Sequence, residues 1–175
     1  MKDFIGRKLL EKRINIVLPL ISGKLLDIGC GYNKLVRRYG NGIGVDVFDW
    51  GDVDYVVEDT SNLPFENSEF DTITIVAALN HIPNRENVLK ECNRLLQPKG
   101  KLIITMLTPG VSRIWHKLRK RWDEDQHLRG MKENEVYGLT KSQMKELLFN
   151  AGFEIVKIKR FMLGLNSLYI AKVKK

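Results

Sequence analysis

The stretch Leu25-Leu26-Asp27-Ile28-Gly29-Cys30-Gly31-Tyr32-Asn33 decides how this chain is read. Its first residues are apolar apart from one acid and read as a short buried strand. The Gly-x-Gly that follows means a backbone that turns tightly and lets something approach closely. Alone, that signal is weak. Two neighbours sharpen it. A dinucleotide fingerprint calls for a third glycine three residues after Gly31, and Lys34 stands there. Asp27 sits just before the turn, where a carboxylate would repel a pyrophosphate.

The same acid suits a ligand with a cationic amine, a sulfonium and no phosphate. S-adenosylmethionine is such a ligand. Further on, Ile43 to Val47 reads as a second strand that carries Asp46 near its end. An acid there can accept both hydroxyls of a ribose. Each residue also has a plainer reading. Asp46 fits a strand-end carboxylate that caps nearby amides, Asp27 a buried structural acid, and the glycines a tight turn.

Outward from the loop, short β-type runs alternate with helical stretches, the mark of an α/β domain. Residues 3–20 read as an amphipathic, basic leading helix, 24–28 as the first strand and 35–39 as a helix. Strands are expected at 43–47, 53–57 and 70–77, the last apolar enough to be covered on both faces. A helix over 85–96 ends at Pro98 and Gly100, where the chain turns into a strand at 101–106. Residues 108–139 hold much charge and no clear strand. A helix over 140–151 takes Thr140 as N-cap and Gly152 just past its end. Strands at 153–159 and 168–173 close the chain. The expected organisation is one domain over 1–175, with a lid-like insertion at about 108–139 over the open end of the sheet. In such sheets ligands bind outside the carboxyl ends of the strands.

Five ordered blocks carry a family resemblance. LLDIGCGYN at 25–33 resembles motif I of the class I S-adenosylmethionine-dependent methyltransferases, and GVDV at 44–47 resembles the motif that follows it. EDTSNLPFENSEFDTI at 58–73 is similar to the family's Asp-x-x-x-Leu-Pro-Phe block. VAALNHIPN at 76–84 and LKECNRLLQPKGKLIIT at 89–105 match later blocks in order and spacing. The resemblance covers roughly residues 20–107, with small bacterial and archaeal members most alike. It implies a Rossmann-like three-layer sandwich, whose seven-stranded, mostly parallel sheet ends in an antiparallel strand. It implies S-adenosylmethionine as cofactor and S-adenosylhomocysteine as product. Asp27, Gly29 and Gly31 would then hold the methionine part and Asp46 the ribose, with Cys30 also at the cofactor. Val47 would pack on the adenine, with Asp59 and Thr60 at the adenine amine. Ala77 and Leu79 would line the pocket. Two positions depart from the family. Its third glycine is Asn33 here, a residue that tolerates left-handed backbone better than most. Its Pro-Gly-Gly is Pro98-Lys99-Gly100.

Methyl transfer is an in-line displacement at a carbon already activated by the sulfonium, so the protein mainly aligns donor and acceptor. A base is needed only where the acceptor must lose a proton. His81 is the candidate, with local packing as its plainer reading. Asn80, His127 and Tyr137 are candidate substrate contacts, and His116 reads as a surface residue.

The 175 residues carry 29 Lys and Arg against 21 Asp and Glu, a formal charge of +8, which points toward anionic partners or to a merely basic surface. Within 113–122, Ile114, Leu118 and Trp122 share a helix face opposite the cations. That stretch fits a lid helix, a peripheral contact with an acidic membrane surface or substrate, or nucleic acid. Phe161, Gly164, Leu165 and Asn166 resemble a stretch in small methyltransferases of glycan and lipid-linked pathways; a hairpin turn is the plainer reading. Two cysteines set neither a disulfide framework nor a metal spacing, and no apolar run reaches the ~20 residues of a membrane span. The start of the chain lacks the apolar core of a signal peptide, so the expected location is the cytoplasm. The expected function is methyl transfer to a small-molecule, glycan or lipid-linked acceptor. An RNA methyltransferase and a non-catalytic S-adenosylmethionine-binding module are the alternatives.

Overall fold

The computed structural model describes residues 4–110, 136 and 138–174. Helix α1 spans Phe4–Val17, and Pro19, which lacks an N–H, passes the chain into a single 3-10 turn at Leu18–Leu20. Strand β1 (Leu25–Ile28) is buried at every position. Helix α2 (Lys34–Tyr39) leads to β2 (Gly42–Asp46), and β3 is reduced to Tyr55–Val56. Strand β4 (Phe70–Val76), a 3-10 turn at Leu79–His81 and α3 (Arg85–Leu95) follow. Then come β5 (Leu96–Leu107), α4 (Lys141–Asn150), β6 (Phe153–Phe161) and β7 (Asn166–Val173).

The strands form one sheet in the order β3-β2-β1-β4-β5-β7-β6. β3, β2, β1, β4 and β5 pair in parallel, while β7 is antiparallel to both β5 and β6. The expected three-layer α/β sandwich with an antiparallel last strand is what the chain adopts. Strand alternation builds its two cores. Leu26, Ile28, Ile73, Ile75, Leu102 and Ile104 pack with Val88, Leu89 and Leu95 of α3 and Met144 and Leu148 of α4. Leu25, Ile103 and Leu168 face the other way, onto Ile14 and Val17 of α1 and Leu35 and Val36 of α2.

Two expected boundaries shift. Strand β5 starts at Leu96, not Lys101. Phe70 pairs with Leu96 and Thr72 with Lys101, so Gln97-Pro98-Lys99-Gly100 form a bulge within the strand instead of a turn ahead of it. Pro98 donates no ladder bond, which suits a bulge. The strand expected at 53–57 keeps only two residues, because Asp54 uses its main chain and side chain to bind Gly44. The expected N-cap holds: the Thr140 hydroxyl accepts from the Gln143 amide at 3.2 Å, and the Gln143 side chain accepts from the Thr140 amide at 2.9 Å. Between β6 and β7, Met162, Leu163 and Gly164 all take positive φ, a hairpin turn in the stretch around Gly164 and Asn166.

Candidate active site

A cavity of about 590 Å³ opens at the carboxyl ends of β1, β2 and β4. β1 and the loop after it supply Asp27, Gly29, Cys30 and Gly31; β2 and the loop after it supply Asp46, Val47 and Trp50. Asp59 and Thr60 approach from the far side, and Ala77, Ala78 and His81 follow β4. Leu10 and Ile14 of α1 close one wall.

The loop can pass so close to the β4 end only as glycine. Gly29 has φ +71°, and a Cβ there would lie 2.5 Å from the Ala78 Cβ. Ala77 is itself left-handed at φ 56°, a conformation that costs an alanine energy and persists where its surroundings hold it. Its amide donates to the Thr105 carbonyl at 3.0 Å. Gly31 differs: a Cβ there would meet nothing within 4 Å, because the position faces open space.

Asp27 is buried, and the Thr74 hydroxyl, its register neighbour on β4, donates to it at 2.6 Å. Burial pushes the Asp27 carboxyl up to about 7; the Thr74 bond opposes that and the charge of Asp46 adds to it. No cationic side chain pairs with it among the described residues. Asp46 accepts the Gly31 amide at 2.9 Å on one oxygen and the Phe48 amide at 3.1 Å on the other. The amide-capping reading therefore describes its protein contacts, and each oxygen keeps a further lone pair toward the cavity. Cys30 lies among these acids. Burial first, then the charges of Asp27, Asp46 and Asp54, push its thiol far up, so it stays neutral and is no nucleophile. Asp59 accepts from the Ser61 hydroxyl at 2.7 Å, from Asn84 Nδ2 at 3.0 Å and from the Ser61 amide at 2.8 Å. These bonds, the Ser61 hydroxyl's foremost, hold its carboxyl below the usual range.

Asn33 takes the left-handed conformation, φ 54°. Its side chain is fully buried. Nδ2 donates to the Asp52 carbonyl and to Asp54 Oδ2, each at 2.9 Å. Asp54 Oδ2 also accepts the Gly44 amide at 2.8 Å, and Arg37 reaches Asp54 Oδ1 at 2.7 Å. Burial works to raise the Asp54 carboxyl; the bonds from Gly44, Asn33 and Arg37 outweigh it and leave it low. Gly44 makes room for the clamp, since a Cβ there would lie 2.0 Å from Asn33 Oδ1.

Most expected site residues converge on the cavity: Asp27, Gly29, Cys30, Gly31, Asp46, Val47, Asp59, Thr60, Ala77 and His81. Two do not. Leu79 is wholly buried in the core with α3, because the 3-10 turn after the left-handed Ala77 swings it inward. Asn80 is buried outside the lining; its carbonyl accepts the Val136 amide at 3.0 Å and Arg85 at 3.3 Å. His116, His127, Tyr137 and the basic stretch 113–122 lie outside the described residues. Sequence reasoning missed Leu10, Ile14, Tyr32, Leu35, Trp50 and Val76, an apolar and aromatic wall in which Tyr32 and Trp50 stand 5.4 Å apart between ring centroids. Trp50 had a signal, being four residues past Asp46 on the same loop. The α1 residues had none, since helical periodicity does not say what a helix covers. Among the described residues, no group of three His, Cys, Asp or Glu side chains could hold a metal ion.

This strand order, with a glycine loop after β1 and acids near the ends of β1 and β2, is the architecture of the class I methyltransferases. A family model described as a methyltransferase domain matches residues 26–104. The chain is 27% identical to a demethylmenaquinone methyltransferase of Staphylococcus saprophyticus, across 96% of this chain and 86% of that one. Its fold is similar to a Thermotoga maritima S-adenosylmethionine-dependent methyltransferase (TM-score 0.71, 19% identity, 99% and 92% of the two chains covered). It is also similar to the Burkholderia thailandensis 1,6-didemethyltoxoflavin-N1-methyltransferase, solved with its substrate and S-adenosylhomocysteine (TM-score 0.67, 17% identity, 95% and 78% covered). The methyltransferase-domain match and these likenesses support a class I S-adenosylmethionine-dependent methyltransferase. No helix among the described residues is long and apolar enough to cross a membrane.

Proposed function

We propose that the cavity holds S-adenosylmethionine through the residues expected from sequence, less Leu79, and passes its methyl group to a small quinol-type ring. The observation that carries this reading is a buried acid without a cationic partner among the described residues, Asp27, in a cavity that Asp46 and Asp59 also line. A buried carboxylate is costly unless something positive meets it. The ligand's ammonium and sulfonium would do so. Gly31 leaves space for the methionine part, Asp46 keeps lone pairs for the ribose hydroxyls, and Val47 offers an apolar face to the adenine. Asp59 and Thr60, which also line the cavity, are proposed to meet the adenine amine.

When bound, the cofactor supplies a methyl carbon activated by its sulfonium. The chain's own part is alignment and proton handling, and alignment alone is worth ~7–11 kcal/mol of a barrier. Leu10, Ile14, Tyr32 and Trp50 form a wall suited to a flat apolar ring. His81 borders the cavity after β4 and is proposed to take the proton that the acceptor gives up. The relative named a demethylmenaquinone methyltransferase supports a quinol head as the acceptor class.

Calorimetry with S-adenosylhomocysteine tests the cofactor half: binding is expected, weakened strongly in Asp46→Ala. Methyl transfer to 1,4-naphthohydroquinone tests the acceptor half. No binding at millimolar product would sink the first, and turnover only on RNA would sink the second. His81→Gln is expected to lower kcat by about 10²-fold or more with little change in product binding.

A further inference from the structure

The tip of the β6–β7 hairpin lies away from the cavity but at the same edge of the sheet. β5 and β6 both pair antiparallel with β7, so Phe161, at the end of β6, sits at the carboxyl edge. Beyond it Met162, Leu163 and Gly164 turn through φ 54°, 55° and 83°. Glycine takes that backbone freely, whereas methionine and leucine are disfavoured there. The strain displays apolar side chains to water: Leu163 is 101% exposed and Leu165 39%.

Such a turn persists only where it is held. The Leu165 amide donates to the Met162 carbonyl at 3.1 Å, and the Thr108 amide to the Leu165 carbonyl at 3.1 Å. Asn166 is wholly buried and accepts from Arg13 Nε of α1 at 3.0 Å. Arg13 is buried too, and burial draws its guanidinium down to about 10. A charge kept under the tip at that desolvation cost braces it from below. Along the hairpin's own sequence the charge has one sign. Lys157, Lys159 and Arg160 are exposed along β6, and no Asp or Glu occurs from Ile155 to Lys175.

We propose that this tip is a docking wedge for an anionic bilayer, with Leu163 and Leu165 entering the interface while Lys157, Lys159 and Arg160 meet the headgroups. Two leucines bind a bilayer weakly and reversibly by themselves; basic residues near anionic lipid supply the second signal such contacts need. Docking by this edge turns the cavity toward the bilayer. The inference stands on the hairpin and does not depend on the acceptor's identity.

Co-sedimentation of the full chain with vesicles tests it. Binding is expected to vesicles of phosphatidylcholine mixed with phosphatidylglycerol, to fall as salt rises, and to be weak with phosphatidylcholine alone. Leu163→Asp is expected to lower partitioning about tenfold or more. Leu163→Gly, which relieves the backbone, should lower it similarly. Both should melt as folded proteins and bind S-adenosylhomocysteine like the parent. Folded Leu163→Asp that still binds anionic vesicles like the parent would overturn the proposal. So would a parent chain that ignores these vesicles, including one that instead self-associates through Leu163.

Discussion

Asp27 joins ligand binding to pH. Its carboxyl titrates near 7 when buried, against the ordinary carboxylate range in the unfolded chain. The folded state therefore binds the extra proton. Stability from this group is complete below the unfolded pKa, declines as pH rises to about 7, and is level above. A cationic ligand needs the ionised form, so affinity should run the opposite way and increase through pH 7. Calorimetry in buffers of different ionisation heat should register a proton released when S-adenosylhomocysteine binds near pH 6.5. Asp27→Asn should melt no lower than the parent at pH 8 and bind the product far more weakly. A pH-independent affinity from 5.5 to 8.5 would remove Asp27 from the site.

Asn33 teaches a different lesson at the same scale. Its left-handed backbone was foreseeable from residue type, as Asn tolerates φ > 0. Its carboxamide clamp on Asp52 and Asp54 was not, because those partners are remote in sequence and carry no pattern. Asn33→Ala loses two donated bonds and gains backbone strain, which together should cost about 2–4 kcal/mol in urea unfolding. Asn33→Gly keeps the backbone freedom and should lose less stability. Both should weaken S-adenosylhomocysteine binding, since the clamp ties the glycine loop to the segment bearing Trp50.

At the scale of elements, legibility followed locality. The loop after β1, the acid of β2 and the Thr140 cap could be read because each signal lies within a few residues. Thr140→Ala should cost about 1 kcal/mol and leave product binding unchanged, by thermal melts and calorimetry together. Leu79 failed for a local reason that no residue type announces. A left-handed alanine at 77 redirects the chain, so the apolar residue expected in the pocket faces α3. Strand β5 was misread for a similar cause: Pro98 and Gly100 look like a turn and are instead absorbed in a bulge against β4.

The whole molecule gathers its functional features at one edge, and α1 links them. Leu10 and Ile14 face the cavity, Ile14 and Val17 join the core beside Leu25 and Ile103, and Arg13 braces the hairpin tip. Sequence made α1 an amphipathic helix but could not assign its three contacts, which depend on where the sheet's edge lies. A helix that is at once wall and core should respond to ligand as a unit. Saturating product stabilises the fold by about 2.7 kcal/mol at a hundredfold excess over Kd. Hydrogen exchange should show α1 amides slowed by more than those of α4, which lies across the sheet from α1. Ile14→Ala should cost about 2–4 kcal/mol of stability and cut that added protection, because the deleted side chain serves both the core and the cavity. Equal slowing of α1 and α4 by product would mean that α1 packs on the domain without covering the ligand.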